Sequence, residues 1–225
     1  MKYNLTNNPI LKDFQIQILE LFFKSDFSRP FFLTGGTALS AFYFAHRESK
    51  DLDLFTLQAF DPLRLTQLIS EIAKKTGSTP NIKVASNTYQ EIYLTSENSR
   101  WTQRIDLVHD VPRHFGELSR VGDIIVDSLE NIGSNKVLTV FGRLEPKDYI
   151  DLYVILKDSY LKFDDLFELA KQKDLGLDKF HLAHSINQIA NIEVWPENKL
   201  GIKNTKIINF YRNLVKKLLR DIKPE

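Results

Sequence analysis

Two aspartates separated by a single residue are the clearest sign of chemistry in this chain. Asp51 and Asp53 alternate with Leu52 and Leu54, which is the pattern of a half-buried strand. Residues two apart in a strand project from the same face, about 7 Å apart at Cα. Two carboxylates so placed repel each other unless a cation such as Mg²⁺ neutralises them. The spacing therefore predicts a metal site, although two solvated acids would produce the same pattern.

A pair of glycines stands shortly before these aspartates. Gly35 and Gly36 follow the apolar segment FFLT, and an apolar segment with helical character follows from Thr37. Glycine lets the backbone approach a ligand closely, and the N–H groups at the start of a helix attract anions. The stretch Gly35-Gly36-Thr37 is thus a predicted phosphate-binding turn, with Thr37 as helix N-cap. A tight strand-to-helix turn without a ligand is the alternative.

A third carboxylate completes the candidate site. Asp106 lies between Ile105 and Leu107 in a predicted strand, so it projects from the face opposite to its apolar neighbours. An acid beside a metal pair can bind a second ion and accept a proton from an attacking hydroxyl. The three acids and the glycine turn together predict a metal–triphosphate site. An edge-strand aspartate without a ligand is the other interpretation of Asp106.

Composition limits the remaining possibilities. With 43% hydrophobic and 26% charged residues among 225, the chain is typical of soluble globular proteins. The absence of cysteine excludes disulfides, thiolate metal sites and thiol nucleophiles, and it favours a reducing, cytoplasmic location. Neither a signal-peptide core nor a run of 18 apolar residues is visible, so we expect no membrane association. The net charge of +1 gives no general attraction to nucleic acid.

Periodicity predicts two domains, an α/β domain over residues 1–115 and a helical domain over 116–225. The predicted strands of the first domain cover 31–33, 52–55, 81–85, 89–95 and 101–108. Its predicted helices cover 11–22, 38–44 and 62–76, the last beginning after Asp61-Pro62 and ending at Gly77. The predicted helices of the second domain cover 123–141, 146–157, 164–174, 178–190 and 204–222.

Charged residues of the helical domain form a second candidate cluster. Lys136 and Arg143 are seven residues apart, which places them on one helix face where they can reach a triphosphate or a nucleic-acid backbone. Asp148 and Asp151 share a face of the next predicted helix and can orient these cations. A purely structural network of ion pairs is the alternative.

Further basic groups lie near the acid pair and at the C-terminus. Arg47 and Lys50 either hold phosphate or balance the charge of the aspartates, and His46 is a packing, capping or functional residue. From Lys199 to Glu225, eight basic residues including Lys223 face two acids, a local charge of +6. This segment is either a solvated helix face or a surface for an anionic partner.

Two motifs resemble one family. The segment GGTALSAFYFAHRESKDLDLF, which starts at Gly35, resembles the signature of the polymerase-beta-like nucleotidyltransferase superfamily, specifically the AbiEii/AbiGii-type toxins. The segment NKVLTVFGRLEPKDYIDLYVIL resembles the same family's helical motif, with its lysine at Lys136 and its final aspartate at Asp151. The matches span residues 31–157. Gly133-Ser134 and Thr139 depart from the family pattern and are expected to disturb the start of this helix.

The resemblance implies a palm domain with a mixed sheet followed by a helical lobe. It implies an NTP substrate and Mg²⁺ or Mn²⁺, with a hydroxyl attacking the α-phosphate and pyrophosphate leaving. The predicted metal ligands are Asp51 and Asp53, with Asp106 added by the strand alternation described above. The predicted catalytic residues are Asp51, Asp53, Asp106, Lys136 and Asp151. The implied nucleotide-binding residues are Gly35, Gly36, Thr37, Arg47, Ser49, Lys136 and Arg143.

The resemblance also implies a biological role. The family supplies the toxin of toxin–antitoxin pairs, and some relatives add nucleotides to the acceptor end of tRNA. We therefore expect an RNA acceptor, specifically the tRNA 3′ end, and a cognate antitoxin. Transfer to a small molecule or a protein, as in other members of the superfamily, is one alternative. A catalytically inert binding member of the fold is another.

Overall fold

The computed structural model describes residues 1–98 and 100–222, which form two compact units. The first unit contains residues 1–45 and 49–128, and the second contains residues 46–48 and the chain from Leu129 onward. The predicted boundary at residue 115 therefore falls inside the first unit, 13 residues before its end at Ser128. Lys223 and Glu225, counted in the basic C-terminal segment, lie outside the described residues.

A mixed sheet forms the centre of the first unit, as predicted. Its strands, as far as the unit is described, are β1 (Phe31–Thr34), β2 (Leu52–Thr56), β3 (Ser78–Ala85), β4 (Tyr89–Ser96), β5 (Thr102–His109), β6 (Ser119–Val121) and β7 (Ile124–Val126). They lie in the order β3-β4-β5-β2-β1-β7-β6. The pairs β2–β5 and β1–β7 are parallel, and the other neighbours are antiparallel.

Alternation of side chains separates the two faces of this sheet. In β2 and β5, Leu52, Leu54, Ile105 and Leu107 are fully buried. Helices α1 (Asp13–Phe23) and α3 (Pro62–Thr76) pack against each other and against the sheet. The predicted start of α3 is confirmed, because the Asp61 carboxylate accepts hydrogen bonds from the first N–H groups of the helix. The apolar face is thereby covered, and the acids of β2 and β5 lie on the other face.

A hairpin replaces part of a predicted helix. The sequence prediction of a helix from residue 123 is wrong, because β6 and β7 pair antiparallel and the helix begins only at Leu129. Gly122 occupies the turn with a left-handed φ of +61°. The run Ile124-Ile125-Val126 is β-branched, which favours a strand, although periodicity alone does not distinguish a short apolar run in a strand from one in a buried helix. The hairpin extends the sheet beside β1.

The second unit is helical, as predicted. Its α-helices, within the described residues, are α4 (Leu129–Gly142), α5 (Pro146–Asp158), α6 (Phe163–Lys173), α7 (Lys179–Asn187) and α8 (Asn204–Arg220). Tyr149 of α5 and Tyr211 of α8 are both buried, and their rings meet edge to face at 5.1 Å. The Tyr211 hydroxyl donates to the Tyr149 carbonyl, so this buried hydroxyl has a hydrogen-bond partner. No described helix is long and apolar enough to cross a membrane.

A glycine inside α4 permits close packing of two helices. The expected disturbance at Gly133 is absent, because α4 continues from Leu129 to Gly142. A Cβ added at Gly133 would lie 2.8 Å from Leu166 Cδ2 on α6, and both residues are buried. The glycine is therefore explained by the contact between α4 and α6 rather than by a break in the helix.

We expect Gly133→Ala to lower the free energy of unfolding by about 1–3 kcal/mol, because the added methyl group overpacks this contact. Helix propensity alone predicts the opposite, a gain of about 1 kcal/mol. Gly142→Ala at the end of the same helix is the control, since no described atom beyond its chain neighbours and the nearby backbone of its own helix lies within 4 Å of its added Cβ. Chemical denaturation measures both variants, and a Gly133→Ala protein as stable as the wild type would contradict the packing explanation.

Candidate active site

A row of polar residues crosses the sheet of the first unit at one level. Asp53 of β2 is paired with Asp106 on one side and with Thr34 on the other, and Asp106 is paired with Glu91 of β4. Neighbouring strands lie about 4.8 Å apart, so Asp53 and Asp106 are adjacent on one face. Asp51 directly precedes β2, and its charge acts on Asp106. The structure thus brings together the three acids that the sequence singles out.

Gly35 lies directly against Asp53. A Cβ built on Gly35 would stand 2.1 Å from Asp53 Oδ2, and the φ of Gly35 is +68°. Steric overlap and backbone conformation therefore both require glycine at this position. The glycine turn therefore touches the side chain of Asp53. The Asp53 carboxylate occupies the space that the side chain of any other residue at position 35 would need.

The helix after the glycines begins one turn earlier than predicted. Helix α2 (Gly35–Ala38) has Thr34 as its N-cap, so the prediction of Thr37 in that role is wrong. The helical segment continues as a π-helix over Leu39–Phe44. Thr37 is buried, and its hydroxyl donates to the backbone carbonyl of Asp51. The physical role of its side chain is to hold the first aspartate against the helix.

Asp106 makes polar contacts that the sequence prediction missed. Arg104 donates from Nε to Oδ1 at 3.1 Å and approaches Oδ2 with Nη2 at 3.0 Å, while the Tyr89 hydroxyl donates to Oδ1 at 3.0 Å. Burial raises the pKa of Asp106 above its usual value, although the bonds from Arg104 and Tyr89 act in the opposite direction. The alternation in β5, which places Arg104 on the face of Asp106, was a usable signal for this contact.

The fit of a divalent ion can be assessed from these donors. Asp51 and Asp53 offer hard carboxylate oxygens from one face, which suits Mg²⁺ or Mn²⁺. Both oxygens of Asp106 are engaged by Arg104. Within residues 1–98 and 100–222, no three His, Cys, Asp or Glu side chains are grouped closely enough to hold one ion. The residues therefore fit an ion held by Asp51 and Asp53, and the role of Asp106 as a metal ligand stays a prediction.

A buried aspartate behind the glycine turn was also missed. Asp127 follows β7 and accepts from the Thr34 hydroxyl at 2.5 Å and from its neighbour Ser128 N–H at 2.8 Å. His114 Nε2 lies 2.8 Å from the same carboxylate. Since Thr34 immediately precedes Gly35, Asp127 fixes the residue from which the turn starts. The sequence offers no signal for this contact, because it depends on the pairing of β7 with β1.

In the second unit, Asp151 is the centre of an ion cluster that comprises His46, Arg47, Lys136, Arg143, Asp148 and Asp151, all of which are buried except Arg143. Arg47 binds both oxygens of Asp151, at 2.6 and 2.7 Å. His46 Nε2 and Lys136 Nζ each lie 2.7 Å from an Asp151 oxygen. His46 is therefore a buried partner of Asp151, a contact that joins residues 105 positions apart in the sequence.

Asp148 links the remaining cations of the ion cluster. Lys136 Nζ donates to its Oδ1 and Arg143 Nε to its Oδ2, both at 2.7 Å. The prediction that Asp148 and Asp151 orient Lys136 or Arg143 agrees with this geometry, because Asp148 contacts both cations and Asp151 contacts Lys136. Burial alone would raise the pKa of Asp151, but Lys136 and Arg47 hold it well below its usual value. Burial alone would lower the pKa of Lys136, yet Asp151 and Asp148 raise it, so Lys136 stays charged.

The predicted site residues therefore divide between the two units. Those in the first unit are Gly35, Gly36, Thr37, Ser49, Asp51, Asp53 and Asp106. Those in the second unit are Arg47, Lys136, Arg143 and Asp151. Arg47 joins the second set because residues 46–48 belong to that unit, although they lie between the glycine turn and the acid pair in the sequence.

Substitution of Gly35 tests its contact with Asp53. Gly35→Ala and Gly77→Ala both force alanine into a left-handed conformation, at a cost of about 1–2 kcal/mol. Apart from its chain neighbours, no described atom lies within 4 Å of an added Cβ at Gly77, whereas Asp53 Oδ2 lies 2.1 Å from an added Cβ at Gly35. We expect Gly35→Ala to lose about 1–3 kcal/mol more than Gly77→Ala in denaturant unfolding, because the carboxylate must move. Equal losses would mean that the backbone conformation alone requires glycine.

The ion cluster predicts a loss of stability in acid. The pKa values of Asp148 and Asp151 are lowered in the folded state, so their stabilisation is present above the unfolded pKa of about 4 and is lost as pH falls towards the folded values. We expect Asp151→Asn to cost about 3–5 kcal/mol at pH 7, because Lys136 and Arg47 lose a buried partner. Unfolding free energies measured from pH 7 to pH 2 should then fall less steeply for Asp151→Asn than for the wild type.

Asp158→Asn is the matched control, because Asp158 is an exposed acid on the same helix. Its protein should keep the wild-type stability at pH 7 and the wild-type slope in acid. An Asp151→Asn protein with an unchanged acid slope would show that another group controls acid unfolding.

Comparisons with known proteins agree with this architecture. A candidate nucleotidyltransferase from H. pylori is 16% identical, with 94% of this chain and 96% of that chain covered and a TM-score of 0.60. JHP933 from Helicobacter pylori is 18% identical, with 92% of this chain and 91% of that chain covered and a TM-score of 0.55. These likenesses show a shared fold. No curated protein is significantly similar to the chain.

A family model identifies the chain more directly. Residues 17–198 match the family described as nucleotidyl transferase AbiEii toxin of type IV toxin–antitoxin systems. The matched range includes the glycine turn, the three acids of the sheet and all six residues of the ion cluster. Because this match covers most of the sequence, the chain belongs to the AbiEii family of nucleotidyltransferase toxins.

Proposed function

We propose that this nucleotidyltransferase uses a divalent cation to transfer NMP from an NTP to a hydroxyl of an RNA acceptor. The contact between Gly35 and Asp53 is the observation that carries the proposal. A turn suited to phosphate and a carboxylate suited to a metal ion touch each other within one unit. A nucleoside triphosphate with its metal ion presents the complementary pair of charges.

The backbone of the glycine turn would bind the triphosphate of the nucleotide, and Asp51 and Asp53 would bind its metal ion. The N–H groups at Gly35, Gly36 and Thr37 would contact the triphosphate at the start of the helical segment. Asp51 and Asp53 would hold Mg²⁺, or Mn²⁺, through carboxylate oxygens. The ion, when bound, would neutralise phosphate charge and make the α-phosphorus more susceptible to attack. Ser49 lies two residues before Asp51 and is the remaining candidate of this unit for a phosphate contact.

Asp106 is the better candidate for the proton acceptor. Its carboxylate already accepts an O–H hydrogen bond, from Tyr89, and it is adjacent to Asp53 in the sheet. Asp151 is buried and bound by His46, Arg47 and Lys136, which keeps it ionised. We therefore assign removal of the acceptor proton to Asp106. Asp151 would contribute to catalysis by positioning Lys136 and Arg47.

The ion cluster of the second unit has the charge expected of a phosphate-binding group. Arg47, Lys136 and Arg143 carry three positive charges, and Asp148 and Asp151 carry two negative charges. The cluster therefore has a net positive charge before any contribution from His46. Arg143 is exposed, so its guanidinium is the cation of this cluster most accessible to a phosphate. The buried side chains of Lys136 and Arg47 would add to the positive electrostatic potential that attracts the phosphate.

Helix α8 supports an RNA acceptor. Its exposed positions include Lys206, Arg212, Lys216 and Arg220, whereas Ile207, Tyr211, Leu214 and Leu218 are buried. One face of the helix is thus apolar and packed, and the opposite face is basic. Such a face attracts the phosphate backbone of an RNA such as tRNA, without selecting a sequence. A cognate antitoxin is the further partner that we propose from the family description.

Asp53→Asn should abolish the transfer, because it removes a charge from the proposed metal site while changing the side-chain volume little. The assay is incorporation of each α-labelled NTP, with Mg²⁺, into total RNA and into protein extract. Asp123→Asn in the β6–β7 turn is the matched control and should label RNA as the wild type does. We expect label in the RNA pool, specifically in its tRNA fraction.

Each contrary result of this assay has a definite meaning. Label confined to the protein extract would favour a protein acceptor over RNA. Label in neither pool would support an inert member of the fold. Incorporation by Asp53→Asn at the wild-type rate would contradict the assignment of the metal site.

A further inference from the structure

Tyr89 carries a hydroxyl group into the polar row of the sheet. It lies in β4 opposite Val108, two positions along from the pair of Glu91 and Asp106. Its ring reaches back along the sheet, so that its hydroxyl donates to Asp106 Oδ1 at 3.0 Å. Arg104 Nη2 donates to the same hydroxyl oxygen at 3.3 Å. The phenol is thus held between a carboxylate and a guanidinium.

This position is the one that an acceptor hydroxyl has to reach. Asp106 is the proposed proton acceptor, and it is the register partner of Asp53, the proposed metal ligand. An external acceptor must bring its hydroxyl within hydrogen-bond reach of Asp106. The Tyr89 hydroxyl already meets that requirement, and its side chain is half-buried rather than sealed from the surface. The chain therefore supplies an acceptor group of its own at the site.

We propose that Tyr89 is a site of self-nucleotidylation, an inference that rests on the proposed transfer of NMP from NTP. The phenolic oxygen attacks the α-phosphorus, and the bond between that phosphorus and the α–β bridging oxygen breaks. Pyrophosphate leaves with the electrons of that bond, and the phenolic proton passes to Asp106. The Arg104 guanidinium stabilises the negative charge that develops on the phenolic oxygen. The product is tyrosine with NMP esterified to its hydroxyl.

The modification would limit the enzyme itself. The attached nucleotide replaces the proton through which Tyr89 contacts Asp106, and it occupies the region that an external acceptor must enter. The modified protein should therefore label RNA more slowly than the unmodified protein does. The reaction would serve as an internal brake when acceptor is scarce and NTP is abundant.

Tyr93 provides a matched comparison within the same strand. It lies on the same face of β4, four residues along, and it is also half-buried. Its hydroxyl donates to Glu91 Oε1 at 2.6 Å rather than to Asp106. If labelling depended only on how accessible the phenol is, both tyrosines would be labelled. The proposed geometry instead predicts label on Tyr89 alone.

The test uses the purified full chain with Mg²⁺ and each α-labelled NTP, in the absence of any acceptor. We expect label that survives denaturing electrophoresis and a mass increase of one NMP on the peptide that contains Tyr89. Tyr89→Phe should reduce the protein label to background, and so should Asp53→Asn. Tyr93→Phe should retain it. Peptide mapping of the wild-type protein identifies the residue even if a variant fails to fold.

A parallel assay with total RNA separates this inference from the proposed function. Wild-type protein that labels RNA but never itself would overturn the inference and leave the proposed function intact. Label mapped to a residue other than Tyr89, or retained in folded Tyr89→Phe, would likewise overturn it. Failure to label RNA, protein extract and itself would remove the proposed function and the inference together.

Discussion

The contact between Gly35 and Asp53 is the constraint on which the first unit of this protein depends. An aspartate oxygen occupies the space that a side chain would fill at any residue other than glycine. The contact and the left-handed backbone at the end of β1 therefore each require glycine at this position. Strand β2 must pair with β1 in one register for Asp53 to reach that position, and β5 must pair with β2 for Asp106 to stand beside it.

The ion cluster solves a different physical problem, which is how to keep charge inside a helical core. Asp151 is ionised although it is buried, because nitrogen donors from Arg47, His46 and Lys136 surround it. The buried carboxylate of Asp148 is paired in the same way, because it accepts hydrogen bonds from Lys136 and Arg143. Removal of a buried partner leaves the remaining buried charges without compensation, so the buried members of the cluster behave as a unit. Its charged residues are therefore restrained more tightly than isolated surface cations are.

Local patterns predicted the elements that carry the acids, because alternation in DLDLF and RIDLV follows directly from having one covered face. Residues 123–126 were misassigned, because periodicity alone does not distinguish a short apolar run in a strand from one in a buried helix, although the β-branched residues favour a strand. The partners of Asp106 were missed for a further reason, since Tyr89 meets it through a register that only pairing of β4 with β5 defines. The contact of His46 with Asp151 spans 105 positions and has no local signal.

The hydrogen bond from Thr34 to Asp127 has a consequence for dissection of the chain. A fragment that stops at residue 115, where periodicity suggests a boundary, lacks β6, β7 and Asp127. Such a fragment leaves the Thr34 hydroxyl, one residue before the glycine turn, without its carboxylate partner, and it removes β7, one of the two neighbours of β1. A fragment that extends to Ser128 retains these contacts. An N-terminal fragment that keeps the start of the glycine turn as it is in the whole chain must therefore extend through Ser128.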